Sequence, residues 1–114
     1  MAKVEITKQL KSEIFKKFKK ESIIIFNLMK SLEENPKKGK SLGSVGGILI
    51  KEIKYKSFRF YFIVDGYKLK VLSEEGLIDL LLRFVRMSDK KHQQQTINEI
   101  KKILVYFGPD KFNE

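Results

Sequence analysis

This chain has no cysteine, no tryptophan and one histidine. The missing cysteines exclude disulfides and thiolate metal sites. A lone histidine among scattered acids argues against a structural zinc site, and no metal or cofactor is expected. Long apolar runs are also lacking. None approaches the roughly 18–20 residues of a membrane helix, and the longest, residues 22–29, is interrupted by Asn27. The N-terminus carries no apolar core followed by a small-residue cleavage site, so no signal peptide is expected. A soluble, cytoplasmic protein follows as the simple expectation. Acids are scarce relative to bases, 14 against 24, which leaves a net charge of +10 on 114 residues. That balance suits a polyanionic partner such as nucleic acid, the ribosome or an acidic protein. It suits equally a lysine-rich composition with no such role, because summed charge argues for association and not for chemistry.

The length fits one domain, residues 1–114. Residues 3–6 alternate as a short first strand. From Thr7, a plausible N-cap, Leu10, Ile14, Phe15 and Phe18 recur at helical spacing with lysines between them. The run from Lys16 to Lys20 is the solvated flank of that helix. A second helix over residues 23–32 starts behind Ser22 and stops at Asn35-Pro36, since the residue before proline is pushed out of the α region. Residues 37–47 read as a loop. Their glycines lack the spacing of a phosphate loop, and no strand leads into them.

Four strands are expected next, over residues 48–56, 58–65, 67–73 and 77–86. Asp65-Gly66 marks a hairpin turn. Ser88 then caps a last helix carrying Ile97, Ile100, Ile103, Leu104 and Phe107, which ends at Gly108-Pro109. The expected architecture is α+β: a small antiparallel meander with two N-terminal helices and one C-terminal helix packed on one face.

Arginines planted in these strands need a reason, because a buried charge is costly unless paired or turned to a groove. Strand periodicity puts Phe58, Phe60, Phe62 and Val64 on the core face and Arg59, Tyr61 and Ile63 on the other. Arg83 and Arg86 fall on opposite faces of the last strand, so only one joins Arg59 unless a bulge intervenes. In the first long strand Ile48 and Ile50 differ in parity from Ile53 and Tyr55, which suggests a bulge near Lys51 or Glu52. Arg59 and Tyr61, with Lys51, Lys54 and Lys56 nearby in sequence, offer the stacking groups and cations that single-stranded RNA needs. The alternative is that Arg59 pairs with an acid such as Asp79 or Glu52 and is structural.

An ordered set of features resembles the RelE/ParE superfamily of type II toxin–antitoxin toxins over nearly the whole chain. Two helices end in Leu32-Glu33-Glu34-Asn35-Pro36, and Gly39-Lys40-Ser41-Leu42 and Gly46-Gly47 precede a strand. Phe58-Arg59-Phe60-Tyr61-Phe62-Ile63-Val64 is similar to the family's aromatic–Arg–x–x–Tyr–x–Val strand, with its Tyr one place early. Leu82-Arg83-Phe84-Val85-Arg86 precedes a polar segment holding His92. The resemblance implies a RelE-like fold. It further implies ribosome-dependent, metal-independent cleavage of messenger RNA, with an acidic antitoxin as the protein partner. It implies catalytic roles for Arg59, Arg86 and His92, and RNA or phosphate contacts for Lys51, Lys54, Lys56, Tyr61 and Arg83. The same fold also serves gyrase-inhibiting toxins, and a non-catalytic basic module that binds RNA or protein is a third expectation.

Overall fold

The computed structural model describes residues 2–65 and 80–113. Strand β1 (Ala2–Ile6) leads into α1 (Lys8–Phe18) and α2 (Ser22–Lys30). Strands β2 (Lys40–Val45), β3 (Ile48–Tyr55), β4 (Phe58–Asp65) and β5 (Leu80–Asp89) follow, then α3 (Gln93–Tyr106) and a short 3-10 turn (Pro109–Asn113). The expected strand over residues 67–73 and the Asp65-Gly66 turn lie outside the described residues.

The fold is α+β, but its sheet is mixed. The strand order is β1-β5-β4-β3-β2. Strands β2 to β5 run antiparallel to their neighbours, while β1 adds to β5 in parallel. This corrects the all-antiparallel expectation. The hairpin of α1 and α2 carries the chain from β1 across the sheet, so β1 can lie beside β5 without a tight turn. The segment read as a loop contains β2. Gly46 and Gly47 both take positive φ, as a two-residue hairpin turn demands, and join β2 to β3.

Thr7 caps α1 as expected, its hydroxyl accepting from the Leu10 N–H at 3.3 Å. Leu10 and Ile14 recur at helical spacing and are fully buried; Ile25, Met29 and Leu32 do the same from α2 and the turn after it. These side chains meet Ile53, Phe60, Phe62, Val64, Leu82 and Phe84 on one face of the sheet. Phe18 closes the end of that layer, its ring edge-on to Phe58 at 5.2 Å. Burying each of the fully enclosed Phe60, Phe62 and Phe84 contributes about 1.5–3 kcal/mol.

The second face is covered as well. Ile97, Ile100 and Leu104 of α3, with Phe112, pack on Ile48, Ile50, Tyr61, Ile63 and Val85. The helices therefore sandwich the sheet, with the N-terminal pair on one side and α3 on the other, instead of sharing a face. This arrangement accounts for the parity break in β3. Ile48 and Ile50 belong to the α3 layer, and Ile53 to the α1–α2 layer. Strand β3 itself pairs regularly with β4 over its whole length, and the irregularity opposite Lys51 sits in β2, between Ser41 and Gly43.

Candidate functional site

Three cross-strand rows build the α3 side of the sheet. Lys54, Arg59 and Ser88 form one row across β3, β4 and β5; Glu52, Tyr61 and Arg86 form the next; Ile50, Ile63 and Arg83 form the third. The rows exist because β5 carries a bulge. Its register shifts opposite Tyr61 and Phe62, so that Arg86 faces Tyr61 while Phe84 faces Phe62. Val85 is the extra residue. One added residue reverses side-chain parity downstream, which puts Arg83 and Arg86 on the same face as Arg59.

The first two rows hold an uncompensated polar cluster. Arg59 is 8% exposed and Glu52 2%. Among the described residues the Arg59 Nε and both Glu52 carboxylate oxygens have no hydrogen-bond partner. No ion pair joins the two residues, and Asp79, the other proposed partner of Arg59, lies outside the described residues. Tyr61 is fully buried, and its hydroxyl shares a 2.7 Å hydrogen bond with Ser88 Oγ. Burial pushes the Tyr61 phenol up; the Ser88 hydrogen bond opposes that, and the charges of Glu52 and Arg59 act on it in opposite directions.

The cluster lies where β5 gives way to α3. There Asp89 Oδ1 accepts from the His92 backbone N–H at 2.9 Å and lies 2.8 Å from His92 Nδ1. The His92 side chain and then its backbone N–H hold the Asp89 carboxyl below its usual range. With Nδ1 engaged by the carboxylate, Nε2 is the ring nitrogen left for proton transfer, and the imidazole remains 56% exposed. Asp89 thus takes over the helix-start role expected of Ser88, which lies within the strand instead.

Arg86 is held on the same face. Its Nε donates to Glu99 Oε1 at 2.8 Å, its Nη1 to the Val85 carbonyl, and the guanidinium stacks 5.2 Å from the Phe112 ring centroid. Arg83 is tied further along the strand, to the Pro109 carbonyl at 3.3 Å and Glu5 at 3.8 Å. It bridges β1 and the C-terminal turn, away from the Arg59 row.

The structure thus puts Arg59, Lys54 and Arg86 in adjacent rows on one face; the Asp89–His92 pair begins one residue beyond Ser88, and Asp89 stands opposite Phe58, on the other strand parity from Arg59. Lys51 and Lys56 are not brought to these rows. Lys51 points to the opposite face, over the Phe62 ring, where burial lowers its pKa; its Nζ donates to the Lys37 carbonyl at 3.1 Å. Lys56 occupies the β3–β4 turn at φ 54 and pairs with Glu21 at 3.0 Å, a contact that raises its pKa. Tyr61 joins the cluster only through its buried hydroxyl and presents no ring for a base to stack on.

Sequence reasoning missed Asp89 and Glu99, took Ser88 only as a helix cap, and treated Glu52 only as a counter-charge. Two signals were available. Asp89 precedes His92 by three residues, the spacing at which a carboxylate reaches back to a helix start. Glu52 shares its strand parity with Ile48 and Ile50, so it is a charge in an apolar row, as Arg59 is. Among the described residues no group of three or more metal-ligating side chains occurs, and no helix is long and apolar enough to cross a membrane.

No family model, curated protein or solved structure matches the chain.

Proposed function

We propose that this protein is a RelE-like toxin that cleaves messenger RNA on the ribosome and is neutralised by an acidic protein partner. The observation that carries this reading is Arg59. It is a buried guanidinium with an unpaired Nε, placed in register between Lys54 and Ser88, beside the turn that presents the Asp89–His92 pair. A structural arginine at this depth would be expected to be ion-paired, and Glu52, its buried diagonal neighbour, makes no ion pair with it.

In the proposed reaction the RNA's own 2′-oxygen attacks the adjacent phosphorus and the bond to the 5′-oxygen breaks. The products are a 2′,3′-cyclic phosphate and a 5′-hydroxyl. A base must take the 2′-hydroxyl proton, cations must stabilise the charge that builds on the phosphate, and an acid must protonate the leaving oxygen. His92 Nε2, oriented through Nδ1 by Asp89, supplies one proton-transfer group. Arg59, Lys54 and Arg86 supply the cations. The net charge of +10 favours association with the ribosome and with an acidic antitoxin.

A translation reaction on a defined message, read by primer extension, tests this. The wild-type protein is expected to produce ribosome-dependent cuts. Arg59→Gln and His92→Ala are each expected to slow cutting by about 100-fold or more. Cutting that persists in both variants overturns the site. No cutting together with blocked DNA supercoiling favours a gyrase-directed toxin. Neither activity leaves the non-catalytic RNA- or protein-binding module.

A further inference from the structure

Away from the Arg59 face, the helical hairpin exposes apolar side chains that its own fold does not cover. Phe15 of α1 is 63% exposed and Ile23 of α2 64%. Neither position is needed by the core, which takes Leu10, Ile14, Ile25 and Met29 from the same helices. Two adjacent hollows flank the Phe15 ring. One, of about 510 Å³, lies between the end of α1 and the start of α2 and reaches Ile23. The other, of about 420 Å³, lies along α1 and reaches Phe26. Phe15 lines both, so the two make a shallow surface groove on either side of its ring.

The rim of this groove has one sign of charge. Lys16, Lys19 and Lys20 line the first hollow, and Lys8 and Lys11 the second; among the described residues no carboxylate lines either. The lysine run read from sequence as a solvated flank is therefore the border of an apolar trough. An apolar floor inside a cationic rim is complementary to an amphipathic segment with apolar residues on one face and Asp or Glu beside them.

We propose that the α1–α2 groove docks an amphipathic, acidic segment of a protein partner, with Phe15 and Ile23 as apolar anchors and the five lysines setting charge selectivity. The proposal gives the acidic partner of the proposed function a docking surface and rests on that reading for the partner's role. The groove is remote from the Arg59 row, so occupation there holds the partner without requiring it to touch the RNA-facing residues.

The test uses the full chain and a fluorescent helical peptide with a leucine face flanked by glutamates, read by anisotropy. A control peptide carries lysines in place of the glutamates. The acidic peptide should bind and the basic one should not. Phe15→Ala should weaken binding about tenfold or more, as truncation of a central anchor does. Lys11→Glu combined with Lys16→Glu should weaken it further and flatten its salt dependence. Because these side chains are exposed, the melting curves of the variants should match that of the parent. Equal binding of both peptides, or binding indifferent to Phe15 and the lysines, overturns the proposal. So does sedimentation with phosphatidylserine vesicles that depends on the same residues while the acidic peptide fails to bind. The assay contains no RNA, so its failure leaves the cleavage reading untouched, and loss of cleavage in Arg59→Gln leaves the groove untouched.

Discussion

Glu52 and Arg59 form the part of the structure where stability and function should separate most sharply. They are diagonal neighbours across β3 and β4, both at least nine-tenths buried, and not ion-paired. Diagonal positions lie about 7 Å apart, and at an effective dielectric constant near 20 two unit charges at that separation attract by about 2 kcal/mol. Arg59→Met removes the cation and leaves the Glu52 carboxylate buried without it, so a loss of about 2–4 kcal/mol is expected. Glu52→Gln loses the attraction but also ends the desolvation of an unsatisfied carboxylate, and should fall within about 1 kcal/mol of wild type. The double variant should recover most of the loss, since replacing both buried charges is often neutral or stabilising. Urea denaturation followed by circular dichroism at constant m-value measures all three, with an expected coupling near 2 kcal/mol. A coupling below about 0.5 kcal/mol would show that the charges do not sense each other. A double variant as unstable as Arg59→Met would show that the cluster is held for packing. The proposed function adds a second signature: the double variant should be stable and inactive in RNA cleavage.

Further predictions concern the backbone and the acid limb of stability. A Cβ at Gly39, where φ is +108°, would lie 3.0 Å from Phe62 Cζ and 3.1 Å from the Glu52 carbonyl. Gly39→Ala should therefore destabilise by about 1–3 kcal/mol in urea, and by more than Gly46→Ala, where a Cβ meets open space. An order reversed between the two would refute the close approach. Glu21, Glu33 and Asp89 all have carboxyls held below the usual range, chiefly by Lys56, by the Val4 backbone N–H and by His92 respectively. The unfolded chain therefore binds protons at these groups before the folded one. Their contribution is complete above the ordinary carboxylate range and is lost as pH falls below about 4.5 through the depressed values. Thermal melts across that range should show a shallower acid limb in Glu33→Gln, and a limb of unchanged steepness in Glu21→Gln, Glu33→Gln and Asp89→Asn alike would contradict the assignment.

Much of the fold was legible locally. Thr7 before a period-3.6 apolar pattern marked α1, and Asn35-Pro36 marked the end of the helical hairpin. The alternation of Phe58, Phe60, Phe62 and Val64 marked the strand face that meets those helices. Local patterns could not say where β1 inserts, because a parallel partner is set by a crossover and leaves no turn signal. They also could not separate a bulge in β3 from a strand buried on both faces. Ile48 and Ile50 against Ile53 fit either, and the choice depends on whether a second helix layer exists.

The candidate site divides in the same way. That Arg59 needed explaining and that it shares a face with Tyr61 followed from residue type and parity; the helix start at His92 did not, because the sequence put the cap at Ser88. Which partners join Arg59 was decided by tertiary structure. The bulge at Val85 turns Arg86 and Arg83 to its face, and the packing of α3 buries Tyr61. The β3–β4 turn hands Lys56 to Glu21, and the α1–α2 layer takes Lys51. Sequence alone determined the chemical inventory and the local periodicities, because these depend on composition and on neighbours three or four residues away. The tertiary structure decided which charges stand together, because one inserted strand residue and one covering helix reassign whole rows of side chains.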